Sequence, residues 1–299
     1  MKIIQSFWSK PFTRSDSLLI DARFNGGWPH RIMNYYSWAL SCLQLCKFYD
    51  SVELVTDKLG KEILIDKLKL PYTRVTVALN DIDVYNEAFW ALGKLYAYGL
   101  QKEPFLHVDG DIFIWKEFGD EIMNAALISQ NLETKIPASQ GVHKAIWQKF
   151  TYLPDYFKGL YDQEYGNCSN AGILGGNDFL FFENYVKEAF AFLEKNMQGI
   201  NSSMVDLNSG HLNVIFEQVI FYAYAKYCRK EVTYLFPEAE LIPPEIGYFH
   251  AAPRNRHFVH CFGFYKNIRI AYSFLEWKLK EFYPNYYKRI TDMVAASEI

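Results

Sequence analysis

The stretch Pro104-Phe105-Leu106-His107-Val108-Asp109-Gly110-Asp111-Ile112-Phe113 limits the fold more than any other part of the chain. An apolar segment of strand-like composition ends at two carboxylates separated by one glycine. Residues two apart on an extended chain share a face, so Asp109 and Asp111 are predicted to point at one hard cation. Gly110 has no side chain and is predicted to let a phosphate approach the backbone. Because ligand sites of open α/β sheets lie at the carboxyl ends of strands, this motif predicts an α/β fold with a metal and diphosphate site.

Strand-like and helical patterns alternate along the rest of the chain, as is typical of an α/β domain. The predicted strands are Lys2–Phe7, Ser51–Val55, Thr73–Ala78, Phe105–Asp109, Ala125–Ser129, Gly172–Gly175, Val232–Phe236 and Phe258–Phe262. The predicted helices are Arg31–Tyr49, Asp83–Gly99, Phe179–Asn196, Leu212–Lys226 and Ile268–Phe282. We predict one domain over residues 1–299, with a helical insertion around 130–170 and a C-terminal helical extension around 268–299.

Composition excludes several classes of protein. Half of the 299 residues are hydrophobic and 18% are aromatic, which favours a large core over disorder. The net charge of −3 does not indicate the excess of basic residues that is typical of proteins that bind nucleic acid. No apolar run approaches the roughly 20 residues of a membrane span, and the N-terminus resembles a strand rather than a signal peptide. The five cysteines are odd in number and lack a Cys-x-x-Cys pair, which predicts a reducing cytoplasm with neither zinc nor disulfides.

A second cluster is Asn170-Ala171-Gly172-Ile173-Leu174-Gly175-Gly176-Asn177. Its glycines leave the backbone bare around a short apolar strand, and Asn170 offers an amide donor and acceptor. Both features suit a hydroxyl-rich ligand such as a sugar. The alternative interpretation is a strand followed by an ordinary glycine turn.

A third cluster is His260-Cys261-Phe262-Gly263-Phe264-Tyr265-Lys266. A neutral imidazole from His260 can complete a metal site begun by two carboxylates, and Lys266 can supply a point charge for a phosphate. Taken alone, His260 is more often a core residue and Lys266 more often solvent-exposed. The three clusters suit one substrate, and this agreement favours the functional interpretation.

In this order, the clusters resemble the GT-A glycosyltransferases, most closely the retaining glycosyltransferase family 8 with its galactosyltransferases and glycogenins. That family pairs a strand-terminal Asp-x-Asp with an Asn-Ala-Gly strand and a late His-x-x-Gly-x-x-Lys. The resemblance runs from about Ser51 to Lys266, and the chain has Lys266-Asn267-Ile268 where the family usually has Lys-Pro-Trp. The resemblance implies a GT-A fold, which is a Rossmann-like mixed sheet flanked by helices.

The resemblance also implies roles for single residues. Asp109, Asp111 and His260 are expected to bind Mn²⁺ or Mg²⁺. Donor binding is expected from Lys94, Asp109, Asn170, Ala171, Gly172, Gly263 and Lys266. The family's Asp-Gln pair beneath the reacting sugar is best matched by Glu217-Gln218, the expected catalytic residues. Glu217 lies among apolar neighbours and, if partly buried, needs a partner or a ligand.

The segment Trp277-Lys278-Leu279-Lys280-Glu281-Phe282-Tyr283-Pro284-Asn285-Tyr286-Tyr287-Lys288-Arg289 interleaves aromatic and basic residues. Such a helix can lie on a membrane surface, which would make the protein peripheral to the inner face of the membrane. The favoured interpretation is a C-terminal helix that packs its aromatic face on the core.

The sequence therefore predicts a metal-dependent glycosyltransferase that moves a sugar, with retention, from a nucleotide-diphosphate donor to an acceptor. A UDP-sugar is the favoured donor, and a glycan or a lipid-linked glycan is the expected acceptor. Three alternatives remain: a GT-A-like nucleotidyltransferase, a non-catalytic carbohydrate-binding protein of the same fold, and a haloacid-dehalogenase-like phosphatase. Phe113 argues against the phosphatase, which normally has Thr or Val at that place after its Asp-x-Asp.

Overall fold

The computed structural model describes residues 1–13, 25–134, 141, 143–144, 146–148, 150–158, 160, 166–203, 209–236 and 257–299. The described strands are β1 (Lys2–Phe7), β2 (Val52–Thr56), β3 (Arg74–Val77), β4 (Phe105–Val108), β5 (Ile112–Ile114), β6 (Ile128–Glu133), β7 (Cys168–Ser169), β8 (Ile173–Gly176), β9 (Thr233–Phe236) and β10 (Phe258–His260).

The described α-helices are α1 (Lys10–Thr13), α2 (Arg31–Phe48), α3 (Lys58–Lys61), α4 (Ala91–Gly99), α5 (Asp120–Met123), α6 (Asp155–Lys158), α7 (Phe179–Lys195), α8 (Met197–Ser203), α9 (Ser209–Val214), α10 (Ile220–Tyr227), α11 (Arg269–Phe282) and α12 (Pro284–Ala295). Glu62–Lys67 and Ile215–Val219 are π-helical, and Leu79–Ile82 and Gly263–Asn267 are 3₁₀-helical.

The chain forms two compact units. The unit that we call the terminal unit contains Lys2–Asp83, Val108–Phe118 and Ile242–Ile299. The unit that we call the central unit contains Val84–His107 and Gly119–Leu241. Both names refer to position along the sequence, and β4 ends where the chain passes from the central to the terminal unit.

The terminal unit is built on a parallel β-α-β arrangement. Strands β1, β2 and β3 pair in parallel, with Ile3 opposite Val52 and Glu53 opposite Arg74. Helix α2 makes the connection between β1 and β2, and its buried face joins the unit's hydrophobic core. A separate antiparallel pair joins β5 to β10, with His260 opposite Ile112. This pairing places the two predicted metal-binding segments side by side.

The C-terminal helices pack against the core of the terminal unit. Leu275 and Leu279 of α11 and Ile290 of α12 are fully buried in its main hydrophobic cluster. A break at Tyr283, before Pro284, divides the segment that we treated as one helix, because proline fits the first turn of a new helix. The packing supports the core interpretation, and the membrane contact stays a prediction. In the described part of the chain, every helix is too short or too polar to span a bilayer.

The central unit has a mixed sheet. Strand β6 pairs antiparallel with β7 and β8 and parallel with β9. Helices α4, α7 and α10 pack together through aromatic side chains, including Tyr98, Phe182 and Phe221. With parallel and antiparallel strand pairs and flanking helices in the structure, the predicted mixed α/β fold class is confirmed.

Among the predicted helices, two differ most from the structure. The helix predicted from Asp83 begins at Ala91, where Asn213 accepts a hydrogen bond from the Ala91 amide at 2.8 Å and donates to the Ala88 carbonyl at 2.7 Å. This cap comes from a distant part of the chain and fixes the start of α4. The helix predicted from Leu212 to Lys226 contains the π-helical turn Ile215–Val219.

Residues 130–133, which we assigned to the helical insertion, continue strand β6. Helix α6 and strand β7 also fall within 130–170, and parts of that range lie outside the described residues. The single domain, the insertion and the C-terminal extension stay predictions.

Candidate functional site

Asp109 and Asp111 lie in a tight turn between β4 and β5. The Ile112 amide donates to the Asp109 carbonyl at 3.1 Å, which closes a four-residue turn over Asp109–Ile112. The extended geometry that we predicted for this motif is therefore wrong. The turn still brings the two carboxylates together, and both side chains are only partly exposed.

Helix α2 holds the backbone of this turn. Ser37 Oγ donates to the Gly110 carbonyl at 2.7 Å, and Ser41 Oγ lies 3.3 Å from the Asp109 carbonyl. A Cβ atom on Gly110 would lie 2.6 Å from the Trp38 ring. Gly110 therefore makes room for Trp38 on the side where a Cβ atom would lie, and the predicted approach of a phosphate to its backbone stays a prediction.

Asp109, Asp111 and His260 form a candidate metal centre in the terminal unit. One ligand atom from each residue lies within 4.8 Å of the others. Strand β10 positions the imidazole, since His260 pairs with Ile112 and the Cys261 amide donates to the Asp111 carbonyl at 3.0 Å. We call these three residues, together with Lys266, the terminal cluster.

Lys266 is buried against Asp111. Its ammonium lies 2.7 Å from Asp111 Oδ2 and donates to the Gly26 carbonyl, also at 2.7 Å. The Trp28 ring centroid is 5.5 Å away, which adds a cation–π contact. Gly26 and Gly27 both have positive φ angles, +64° and +82°, and this backbone conformation favours glycine.

The electrostatics of Asp111 favour its charged form. Burial pushes the pKa of this carboxyl upward, but Lys266 and His260 push it down further, so the pKa lies well below its usual range. Oδ1 is buried and has no hydrogen-bond partner among the described residues, with His260 Nε2 3.4 Å away. Cys261 stays a neutral thiol, because burial and the charge of Asp111 raise its pKa.

The donor set of the terminal cluster fits a divalent cation. Carboxylate oxygens suit Mg²⁺ and Mn²⁺, and imidazole is a ligand for softer divalent metals. The Oδ1 atom of Asp111 is a buried acceptor that such an ion would satisfy.

Gly263 starts the 3₁₀ turn that carries Lys266. Its φ angle is +50°, and a Cβ atom there would meet nothing within 4 Å. The glycine is thus favoured by its backbone conformation rather than by lack of space. The neighbouring Phe264 is 74% exposed.

The other predicted site residues lie in the central unit. Lys94 on α4 forms an ion pair with Glu217 at 2.6 Å and donates to the Ala171 carbonyl at 3.2 Å. Tyr98 OH also donates to the Glu217 carboxylate, at 3.1 Å. The Glu217 side chain is 7% exposed, so this pairing supplies the partner that its burial requires.

The π-helical turn carries both Glu217 and Gln218. Its backbone is held by Tyr185, whose hydroxyl donates to the Glu217 carbonyl at 2.6 Å. Burial, and then the charge of Glu217, raise the pKa of Tyr185 well above its usual value, so the hydroxyl remains a donor. Turns of this kind are frequent at functional sites.

Asn170 forms a third group with residues that the sequence analysis missed. Its Nδ2 donates to Glu133 Oε1 at 2.8 Å, and its Oδ1 accepts from the Gly172 amide at 3.0 Å. Cys168 Sγ lies 3.4 Å from Glu133 Oε2 and 3.8 Å from Gln218 Oε1. Glu133 ends strand β6, and the strand-terminal position that singled out Asp109 was the available signal for it.

The glycines after Asn170 serve close packing in part. A Cβ on Gly175 would lie 2.2 Å from the Phe105 carbonyl oxygen, and one on Gly176 would lie 2.0 Å from that of Ala126. At these two positions, neighbouring protein segments and not a ligand pack against the exposed backbone.

We call Lys94, Glu217 and Tyr98 of the central unit the central cluster.

Comparisons with solved structures give distant likenesses. The chain matches a crystal structure of the glycosyltransferase GlyE from Streptococcus pneumoniae TIGR4 at 10% identity and a TM-score of 0.45, over 99% of this chain and 64% of that one. The apo form of GlyE matches at 10% identity and a TM-score of 0.46, over 99% and 63%. Mouse xyloside xylosyltransferase 1, also in its apo form, matches at 11% identity and a TM-score of 0.40, over 78% and 84%.

These likenesses are too weak to carry an argument about fold or activity, since the TM-scores lie below 0.5. The chain also spans less than two thirds of each GlyE structure. Comparison with curated proteins gives no match. Residues 1–293 match the model described as "Family of unknown function (DUF6734)", and the chain belongs to that family.

Proposed function

We propose that the protein is a metal-dependent glycosyltransferase of the GT-A type, which uses a nucleotide-diphosphate sugar as donor. The observation that carries the proposal is the terminal cluster, in which ligand atoms of Asp109, Asp111 and His260 lie within 4.8 Å of one another. Lys266 stands beside them as a buried ammonium. These residues belong to the ordered sequence motifs that resemble glycosyltransferase family 8, and the resemblance assigns all of them to metal or donor binding.

The terminal cluster would bind the diphosphate of the donor. Asp109, Asp111 and His260 would hold Mn²⁺ or Mg²⁺, which when bound supplies positive charge to a diphosphate leaving group. Lys266 donates to Asp111 and to the Gly26 carbonyl, and an ammonium has three donors in all. Its third N–H is thus the group that we assign to a phosphate oxygen.

For the central unit, the resemblance to glycosyltransferase family 8 is what supports roles in sugar binding. Asn170, beside Ala171 and Gly172, would hydrogen-bond its hydroxyls. Gln218 is half-buried, and the resemblance assigns it a catalytic role. Because Glu217 is engaged by both Lys94 and Tyr98, we assign it the role of holding Lys94 in place.

The proposed reaction transfers a glycosyl group. The bond between the anomeric carbon and a diphosphate oxygen breaks, and its electron pair leaves with the diphosphate. A bond forms between the anomeric carbon and an acceptor hydroxyl oxygen, and the hydroxyl proton is released to the medium. Retention of configuration, a UDP-sugar donor, a glycan or lipid-linked acceptor and a cytoplasmic location, peripheral to the membrane, complete the proposal.

A donor screen tests the proposal. UDP-, GDP-, CDP- and dTDP-sugars are incubated with the protein in Mn²⁺ or in EDTA, and sugar release and thermal stability are measured. We expect one donor to raise the melting temperature and to be hydrolysed slowly in Mn²⁺, with both effects lost in EDTA and in Asp111→Asn. Asp66→Asn removes an exposed carboxylate of the same unit and serves as the control, in which both effects are retained.

Other outcomes favour the alternatives. Sugar binding without any nucleotide or metal response would support a carbohydrate-binding protein. Release of pyrophosphate from a nucleoside triphosphate and a sugar phosphate would support a nucleotidyltransferase. Either result would overturn the glycosyltransferase proposal.

A further inference from the structure

The terminal unit contains a cavity of about 650 Å³ apart from the terminal cluster. Its walls come from the C-terminal part of α2, from the residue after β5 and from the junction of α11 and α12. Tyr49, Trp115, Phe282 and Tyr283 line it with aromatic rings. The volume falls within the range of small-molecule sites. We call this cavity the aromatic groove.

The groove lies at the far end of β5 from the metal-binding turn. Asp111 precedes this strand and Trp115 follows it, which separates them by about 13 Å at roughly 3.3 Å per extended residue. Among the described residues, the lining does not include the side chains of the terminal cluster. A ligand of the groove therefore does not require the metal site.

Hydrogen bonds hold the walls in place. Gln44 Nε2 donates to the Ile114 carbonyl at 2.6 Å, and its Oε1 accepts from Tyr283 OH at 2.8 Å. The Phe118 amide donates to Tyr49 OH at 2.7 Å. These contacts fix the side-chain amide of Gln44 and the rings of Tyr49 and Tyr283. The groove is therefore largely preformed, which lowers the entropic cost of binding a ligand.

The chemistry of the lining selects the class of ligand. Lys47 and Asp50 are exposed and of opposite charge, so the groove has no net charge with which to attract an anion such as a nucleotide. Gln44 and Thr73 make their hydrogen bonds within the protein, whereas the Tyr49 hydroxyl, which accepts from the Phe118 amide, keeps its own O–H to donate to a ligand. Aromatic faces beside several hydrogen-bonding groups match a sugar, whose rings present an apolar C–H face and a rim of hydroxyls.

We propose that the aromatic groove binds a neutral carbohydrate chain. The inference rests on the groove residues and not on the proposed catalytic function. If both hold, the groove retains a polymeric acceptor at a distance from the metal centre.

Cys46 provides a reporter inside the groove. Its Sγ lies 4.0 Å from that of Cys42, and the hydrogen bond from Cys42 lowers the pKa of the Cys46 thiol, which favours alkylation. Cys42, Cys168 and Cys261 are buried, and Cys228 belongs to the central unit. In a Cys228→Ser background, the rate of iodoacetamide labelling therefore reports access to the groove.

The test measures binding and labelling in EDTA, without nucleotide. A panel of neutral α- and β-linked gluco-, galacto- and manno-oligosaccharides is titrated while saturation-transfer NMR and Cys46 labelling are recorded. We expect at least one oligosaccharide to bind with a Kd of about 1 mM, equivalent to about 4 kcal/mol, and to slow Cys46 labelling. Phe282→Ala and Trp115→Ala should each weaken binding about tenfold, a loss of about 1.4 kcal/mol.

Two controls keep the test decisive. Trp277→Ala removes a 47% exposed tryptophan of α11 that does not line the groove, and we expect binding to be unchanged. Phe282 is 43% exposed, so its replacement remains informative if Trp115→Ala fails to fold.

The proposal is overturned if no oligosaccharide protects Cys46, if Phe282→Ala binds as well as the parent, or if only nucleotides or detergent micelles protect the thiol. Because Asp111→Asn should bind sugars normally, failure here is distinct from failure of the catalytic proposal.

Discussion

The terminal and central clusters both bury a lysine beside a carboxylate, but they differ in how the charges are satisfied. In the central cluster, Glu217 faces Lys94 at 2.6 Å and Tyr98 at 3.1 Å, so one negative charge meets one positive charge and a hydroxyl donor. In the terminal cluster, Lys266 faces Asp111 while Asp109 adds a second carboxylate. The second oxygen of Asp111, Oδ1, is buried, and His260 Nε2 lies 3.4 Å from it.

This difference separates a complete ion pair from a site that gains from an added cation. A buried pair contributes little net stability but is costly to break, because the remaining charge is stranded. Two carboxylates and an imidazole whose ligand atoms lie within 4.8 Å of one another form a donor set that can hold a divalent cation. We therefore propose metal binding for the terminal cluster and positioning for the central cluster, although each contains a lysine and an acid.

Removing Asp111 should have the largest effect on stability. Asp111→Ala strands the buried Lys266 ammonium, and we expect a loss of about 3–5 kcal/mol in the free energy of unfolding. Urea denaturation in EDTA measures this loss without any contribution from metal. The double variant Asp111→Ala/Lys266→Met should recover most of it, and a double variant as unstable as the single one would contradict the pairing.

Replacing Glu217 should strand Lys94 in the same way, but with a smaller effect. Glu217→Gln keeps the shape and leaves an amide oxygen for Lys94, so we expect a loss of about 2–3 kcal/mol, near the value for a charged hydrogen bond. The melting-temperature increase caused by Mn²⁺ should be the same as in the parent protein. Loss of that increase would show that the two clusters are not distinct in the way we describe.

Gly110→Ala should disturb the turn between the two carboxylates. The new methyl group would lie 2.6 Å from the Trp38 ring, and overpacking of this kind costs about 1–3 kcal/mol. Trp38→Leu in the same chain should relieve part of the cost. Urea denaturation of both variants checks this, and a neutral Gly110→Ala would contradict the packing that we describe for the turn.

The smallest effect is expected at Gly263. Its φ angle of +50° disfavours alanine, although the space is open, so we expect Gly263→Ala to cost about 1 kcal/mol. Gly119→Ala is a suitable control, because its surroundings are equally open and its φ angle is −66°. A larger loss at Gly119 than at Gly263 would refute the conformational explanation.

The sequence predicts those elements of the fold whose causes are local. Strand β1 has the predicted bounds, and helix α2 differs from its prediction by one residue, because apolar pattern and boundary residues agree there. Helix α4 begins eight residues later than predicted, because its N-terminus depends on Asn213. A cap supplied from so far along the chain leaves no local signal.

In the candidate site, too, the sequence reveals the features that have local causes and hides those that depend on distant contacts. The Asp-x-Asp motif and the late histidine and lysine are visible as patterns, and the structure brings them together. Glu133 was missed because its partner Asn170 is 37 residues away. The contact between Gly110 and Trp38 was missed because the position of Trp38 depends on how α2 packs, which residue spacing does not reveal.

The most direct test of the difference between the clusters is a Mn²⁺ titration followed by electron paramagnetic resonance, in the parent protein, Asp111→Asn and Glu217→Gln. We predict that the parent and Glu217→Gln bind Mn²⁺ with equal affinity and that Asp111→Asn binds at least about tenfold more weakly, a loss of about 1.4 kcal/mol. A parent protein that binds no Mn²⁺, or binding that survives in Asp111→Asn and fails in Glu217→Gln, would contradict the account.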